Sequence, residues 1–208
     1  MQTGKFITIE GAEGVGKSTN INHIQAWLSA RQIPFIVTRE PGGTPLGEEL
    51  REILLHGGNV ADKTELLLMF AARAQHIEEK IKPALLAGTW VICDRFTDST
   101  FAYQGGGRQL NADWIKTLEI LVQESLQPDI TFLLDAPVAI GMARAKSRNG
   151  RSDRIEAESL AFFERVRQGF LQRAAQNAGR FRVIDAAQPL ADVQIAIDQV
   201  LESLCPNQ

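Results

Sequence analysis

Short apolar runs recur along the chain between stretches of helical period. Phe6 to Ile9, Phe35 to Val37, Trp90 to Cys93, Ile130 to Leu134 and Phe181 to Ile184 are rich in β-branched or aromatic residues, which predicts five short buried strands. Between them, apolar positions return every three or four residues. The series are Ile21, Ile24 and Leu28, then Leu66, Phe70, Ala74, Ile77 and Ile81, then Trp114, Leu118, Leu121 and Leu126. Phe163, Val166 and Phe170 follow, and finally Leu190, Val193, Ile197, Leu201 and Leu204. Strands alternating with helices predict an α/β fold, a five-stranded parallel sheet flanked by helices and joined by right-handed crossovers. Two connections stand out, Gly105-Gly106-Gly107-Arg108 and the basic stretch from Arg144 to Arg154. The alternation runs through both, so residues 1–208 read as a single domain.

The turn after the first strand carries the most specific signal. Gly11, Ala12, Glu13, Gly14, Val15, Gly16, Lys17 and Ser18 match the G-x-x-x-x-G-K-[ST] pattern of a phosphate-binding loop, set between an apolar strand and an amphipathic helix. Glycines let successive N–H groups turn inward around the phosphates of a nucleoside triphosphate. Lys17 reaches the β/γ-phosphates, and the Ser18 hydroxyl can join a Mg²⁺ shell. The next helix, with Thr19 in its first turn, directs its positive end at the same phosphates.

Ligands of open parallel sheets bind beyond the carboxyl ends of the strands. There the second strand is followed by Thr38-Arg39-Glu40-Pro41-Gly42-Gly43, the third by Asp94-Arg95-Phe96 and the fourth by Asp135. Arginines and carboxylates therefore converge on one edge. Arg39 and Arg95 are candidates for phosphate binding, because a planar guanidinium contacts phosphate oxygens in pairs.

Composition narrows the setting. The chain has 208 residues, 44% hydrophobic and 23% charged, which is ordinary for a globular protein. A net charge of −3 and a pI near 5.7 give no global field for nucleic acid or an anionic membrane, so an acidic ligand must meet locally placed cations. No apolar run approaches the ~20 residues that span a bilayer. The start runs straight into the first strand without a signal peptide, and Cys93 and Cys205 show no metal or disulfide spacing; a cytoplasmic protein with reduced thiols is expected.

Taken in order, six segments resemble bacterial thymidylate kinases nearly end to end. They are the phosphate loop with Glu13, Arg39-Glu40-Pro41-Gly42-Gly43, Phe70-Ala71-Ala72-Arg73, Asp94-Arg95, Ala102-Tyr103-Gln104-Gly105 and Asp153-Arg154-Ile155-Glu156. The resemblance implies a P-loop nucleoside monophosphate kinase fold, usually a homodimer, that transfers the ATP γ-phosphate to dTMP with Mg²⁺ on the route to dTTP. It assigns Arg39 and Arg95 to the dTMP phosphate, with Arg51 nearby. Arg73 would meet a thymine carbonyl, with Thr100 and Gln104 at the base edge and Tyr103 against the sugar, disfavouring a 2′-hydroxyl. Glu13 would lie near the 3′-hydroxyl and the metal, and Asp94 would help hold Mg²⁺, with Asp135 as its rival.

Two points depart from the commonest pattern. Four positions before Arg73, where the family often has an aromatic residue that stacks on thymine, stands Met69. Phe70 is its neighbour, and the two readings, cover by Met69 or stacking by Phe70, stay open. The phosphate loop also lacks the arginine that some thymidylate kinases carry there. The segment about 144–156, with Asn149-Gly150 as a flexible turn, resembles the lid that supplies this arginine in the others. Arg148 leads as the catalytic residue, with Arg151 and Arg144 behind it. Two other readings are a kinase for a different monophosphate or small metabolite, and a GTPase-like switch. No Asn-Lys-x-Asp guanine-reading segment supports the second.

Overall fold

In the computed structural model, residues 4–146 and 154–205 are described. The five apolar runs form the strands β1 (Phe6–Glu10), β2 (Phe35–Arg39), β3 (Trp90–Asp94), β4 (Ile130–Asp135) and β5 (Phe181–Asp185). They make one parallel sheet in the order β2-β3-β1-β4-β5. Alternation of side chains sends Ile7, Ile9, Ile92, Phe132 and Leu134 to one face. They pack there with Ile24 and Leu28 of α1 (Lys17–Ala30) and Val193, Ile197 and Leu201 of α9 (Leu190–Leu204). Phe6, Val91, Cys93 and Leu133 fall on the other face. Sheets covered on both sides need apolar residues at nearly every strand position, which is why the central strands read as apolar runs interrupted only by Thr8 and Thr131, whose hydroxyls bond each other at 2.8 Å.

On this second face lie α3 (Asp62–His76), running into a wide turn at Ile77–Ile81, and α8 (Leu160–Gln176), which buries Phe162, Phe163, Val166 and Phe170. The remaining helices are α2 (Pro45–His56), α4 (Lys82–Leu86), α5 (Thr97–Thr100), α6 (Ala112–Gln123) and α7 (Val138–Lys146). Among the described residues no helix is long and apolar enough to cross a membrane.

Two sequence expectations change. The stretch read as a glycine connection is helical: α5 widens into a π-helical turn over Phe101–Gly107. A Cβ on Gly106 would stand 2.8 Å from the Arg165 carbonyl oxygen, so the glycine allows backbone contact between this turn and α8. Helix α6 forms as expected but does not bury the stripe Trp114, Leu118, Leu121. Its buried face is Ile115, Glu119 and Gln123, while Trp114 and Leu121 are exposed. The polar pair is accommodated because Arg173 donates to Glu119 at 2.7 Å and Thr97 bonds Gln123.

Glu10 ends the central strand fully buried, accepting from the Phe96 amide at 2.8 Å and the Ser99 hydroxyl at 2.6 Å. Burial, with the Asp98 charge behind it, lifts its pKa from 4.5 to about 8. Between these values the folded protein keeps a proton that the unfolded chain has released, so the contribution of Glu10 to stability is complete below 4.5 and is lost as pH rises toward 8. Glu10→Gln keeps the Phe96 contact on its one amide oxygen, turns its NH₂ toward Ser99 Oγ, and does not titrate. Urea unfolding across that window should show a flatter pH dependence for the variant than for the parent; equal slopes would exclude Glu10 as the source.

Candidate active site

The strands end in register, Ile9 beside Asp94 and Arg39 beside Asp94, so the turns that leave them gather at one edge. A cleft of about 610 Å³ opens there, between the phosphate loop and the turns after β2 and β3.

Its floor is the loop after β1. Gly11, Gly14 and Gly16 have φ of 141°, 72° and 89°, values open to glycine alone without strain. A Cβ on Gly14 would meet the Gly141 carbonyl oxygen at 1.8 Å, so α7 braces the loop from behind. Lys17 Nζ donates to its own loop carbonyls, Gly11 at 3.3 Å and Ala12 at 3.2 Å. Burial and then the Arg95 charge lower its pKa, so anionic oxygens brought to this ammonium would strengthen its charged form. Ser18 and Thr19 line the same wall. Asp94 stands at the end of β3, and its Oδ1 is shielded from solvent without any hydrogen-bond partner.

Arg95 sits with φ 67°, a conformation that costs a non-glycine residue energy and that the surrounding contacts hold. Its Nη1 donates to the Gly11 carbonyl at 2.9 Å and Ser99 Oγ at 3.2 Å, and its Nη2 to Glu13 Oε1 at 2.6 Å. Tyr103 donates its hydroxyl to the same Glu13 oxygen at 3.1 Å and lies under the Arg95 guanidinium at 4.8 Å. Burial pushes the Tyr103 phenol well up, which keeps it a donor.

The far end is built around Arg73, only 2% exposed. Its Nε donates to Glu40 Oε2 at 2.7 Å and its Nη2 to Thr100 Oγ1 at 3.1 Å. Glu40 Oε1 bonds His76 Nδ1 at 2.9 Å, and His76 Nε2 bonds Thr38 Oγ1 at 2.7 Å. A carboxylate only accepts, so His76 donates from Nδ1. Of the three guanidinium nitrogens only Nη1 has no partner, and it is buried. Met69, Phe96, Thr100 and Gln104 line the space beside it.

Most of the predicted residues meet here. Glu13, the loop, Arg51, Met69, Arg73, Asp94, Arg95, Thr100, Tyr103, Gln104 and Arg144 all border one cleft. Arg51 reaches it from α2, held by the Pro41 carbonyl at 2.9 Å, and Arg144 from α7, held by the Ala186 carbonyl at 2.8 Å.

Three candidates lie away from the cleft. Arg39 does not line the cleft itself: it lies on the edge strand, half exposed, with its Nη2 donating to Glu48 at 2.8 Å, and it borders an adjoining groove that shares Ser18 and Asp94 with the cleft. Phe70 is core, 2% exposed and packed with Leu66 and Ile115, so Met69 takes the place beside the cleft. Asp135 is held by both Arg167 nitrogens at 2.8 Å and does not border the cleft. Arg148 and Arg151 lie outside the described residues.

Sequence reasoning passed over Leu55 and Ser99, which also line the cleft, and named Phe96 only as part of the segment after the third strand. Ser99 stands four residues after Arg95 in the following helix, and that spacing was its available signal. Ile155 and Glu156 border it too, and they had figured only as part of a motif.

Known proteins resemble this chain along nearly its whole length. The family model for thymidylate kinase matches residues 9–197. A thymidylate kinase of Pseudomonas fluorescens (strain SBW25) is 57% identical over 204 residues, 97% of either chain. One from Teredinibacter turnerae (strain ATCC 39867 / T7901) is 56% identical over 203 residues, 97% of this chain and 98% of that protein. The crystal structure of thymidylate kinase from Ehrlichia chaffeensis matches with a TM-score of 0.78 at 34% identity, covering 96% of this chain and 99% of that one.

Proposed function

The chain belongs to the thymidylate kinase family, and from that premise we propose which of its residues hold each reactant. The enzyme transfers the γ-phosphoryl group of ATP to dTMP, giving dTDP and ADP on the route to dTTP. Membership sets aside the readings as a kinase for another acceptor and as a nucleotide switch.

The observation that carries the acceptor assignment is Arg73 Nη1, a buried donor with no partner beside the cleft. Leaving such a donor unpaired costs about 1–3 kcal/mol, which a ligand carbonyl relieves. We assign it to a thymine carbonyl, with Thr100 and Gln104 along the base edge and Met69 and Phe96 against the ring. Tyr103 packs on the deoxyribose and Glu13 lies near its 3′-hydroxyl. Arg95 and Arg51 hold the dTMP phosphate, Arg51 replacing Arg39 in that role.

Gly11 to Thr19 bind ATP through the loop amides, with Lys17 leaving its loop carbonyls for the phosphates. The residues fit a magnesium ion: Asp94 Oδ1 is an acceptor in need of a partner, and Ser18 lies in the same cleft. Among the described residues no three His, Cys, Asp or Glu side chains converge, which suits an ion held chiefly by phosphates and water. When bound, Mg²⁺ neutralises phosphate charge.

Phosphoryl transfer needs alignment and charge neutralisation more than covalent help. The acceptor phosphate has a second pKa near 6 by analogy with phosphate esters, so it attacks without a general base. Lys17 is the one cation of the phosphate loop, which leaves the charge developing on the γ-phosphoryl oxygens to an arginine from the lid at about 144–156. Arg148 is the leading candidate, and Arg144 and Arg151 support it. Arg154 is excluded from this part, since its Nε donates to the Leu54 carbonyl at 3.0 Å and its Nη2 pairs with Glu65.

The working unit is a cytoplasmic homodimer of single-domain chains. The dimer reading is supported by the exposed side of α3 and α6, where Leu67, Trp114 and Leu121 are 57%, 44% and 72% exposed, and Lys63 lies 4.8 Å over the Trp114 ring. An apolar stripe of helical period turned to solvent is unusual for a lone chain.

Steady-state kinetics with separate ATP and dTMP titrations tests the acceptor side. Arg51→Ala should raise the KM for dTMP about tenfold or more, the loss of one charged hydrogen bond. Arg39→Ala should stay within about twofold; the reverse order would restore Arg39 to the phosphate. Arg148→Ala should fold, bind dTMP and lose at least about a hundredfold in kcat, since arginines in this role are worth about 10³–10⁵. More than a third of the parent kcat, with collapse in Arg151→Ala or Arg144→Ala, would move the role to that residue. Sedimentation should find a dimer, and Leu121→Glu should shift it toward monomer; an unshifted Leu121→Glu dimer would place the interface elsewhere.

A further inference from the structure

Behind the base pocket Gln104 meets Glu65. Gln104 Nε2 donates to Glu65 Oε1 at 2.7 Å, and Glu65 is fully buried. Arg108 reaches both carboxylate oxygens at 3.3 Å, and Arg154 pairs with Oε2. Burial by itself would raise the pKa of this carboxyl. The hydrogen bonds from Gln104 and Arg154 with the Arg108 charge outweigh that and hold it below its ordinary value. Glu65 is therefore ionised and accepts only.

An acceptor-only partner removes the ambiguity of the amide. Gln104 has to turn its NH₂ to Glu65 and its Oε1 the other way, because two oxygens facing each other would repel. Gln104 lines the cleft, and among the described residues nothing donates to Oε1. Beside the base edge the pocket thus offers a donor in Arg73 Nη1 and an acceptor in Gln104 Oε1, while the Thr100 hydroxyl, which accepts from Arg73 Nη2, keeps its own proton to donate. Thymine presents the complement, a carbonyl acceptor next to the N3–H donor. Cytosine presents the reverse, an amino donor next to a bare N3 acceptor.

We propose that Glu65 is a positioning residue that fixes the hydrogen-bonding polarity of Gln104, and thereby selects a keto pyrimidine over an amino pyrimidine as the acceptor base. The inference rests on the placement of the base beside Arg73 and Gln104. Glu65 touches neither substrate; it acts through the amide it orients.

Glu65→Gln replaces an acceptor-only partner with one that can show either end, so the Gln104 amide can turn over. The variant should raise the KM for dTMP about tenfold with kcat and the KM for ATP within about threefold, and lower the ratio of kcat/KM for dTMP over dCMP at least about tenfold; mispaired buried groups set selectivity of this size or larger. In a Gln104→Leu background, where there is no amide to orient, adding Glu65→Gln should leave that ratio within about twofold. If Glu65→Gln does not fold, Glu65→Asp, which keeps the charge for Arg108 and Arg154 but withdraws from Gln104, should show the same loss of selectivity.

An unchanged ratio in folded Glu65→Gln would overturn the proposal. So would an equal effect of Glu65→Gln with and without Gln104, which is the outcome of a merely structural role. If Gln104→Leu alone leaves the ratio intact while Arg73→Met destroys it, the base lies beside Arg73 but not Gln104, and the proposal fails while the Arg73 assignment stands. If neither changes the ratio, the base pocket itself is misplaced.

Discussion

A buried guanidinium cannot stay in this protein without a carboxylate to share its protons, and that pairing organises the cleft. Arg73 holds to Glu40, Arg95 to Glu13, Arg108 and Arg154 to Glu65, and Arg173 and Arg180 to Asp98. Burying such pairs yields little net stability, because desolvation offsets most of the attraction. Their value is orientational. Each carboxylate engages two or more partners, so no arginine can rotate without leaving a charge unpaired, a loss of several kcal/mol.

The pairs also fix where the cations of the cleft lie. Lys17 rests on loop carbonyls, and Arg95 on Glu13 and the Gly11 carbonyl. In the roles proposed for Lys17 and Arg95, phosphates would exchange for these contacts and not simply add to them, so each new hydrogen bond would add less than its full strength. Side chains held in one geometry lower the entropy cost of aligning donor and acceptor. Arg73 Nη1 and Asp94 Oδ1 are different, since both are buried without partners. Polar atoms left in that state are where a ligand gains most.

Backbone proximity places the rest. The π-helical turn at Phe101–Gly107 carries Tyr103 and Gln104 to the cleft and lies against α8 across Gly106 and Gly169, where side chains would collide with backbone. Gly14 and Gly141 repeat the arrangement between the phosphate loop and α7. Widening the helix by one residue per turn changes which side chains share a face, so Tyr103 and Gln104 both reach a site that regular helical spacing would divide between them.

Local patterns determined much by themselves. Apolar runs with helices between them dictated a parallel sheet, and glycines before Lys17-Ser18 dictated a phosphate loop, because backbone conformation and solvent exclusion act over a few neighbouring residues. The helical period of Leu66, Phe70 and Ile77 also pointed Phe70 to the core, as it lies. Position after a strand indicated that Arg39 and Arg95 were near the site, but could not tell that one bends inward at φ 67° while the other, on the edge strand, pairs with Glu48. The same limit applied to Asp135 against Asp94, to Trp114 and Leu121 on the outer side of α6, and to the roles of Glu40, Glu65 and His76. A partner such as Arg167 for Asp135 is 32 residues away, and Glu65 meets Arg154 across 89. Charge pairing over such separations depends on where the sheet and helices set the side chains, so only the folded chain decides which cation is free for a substrate and which is already held.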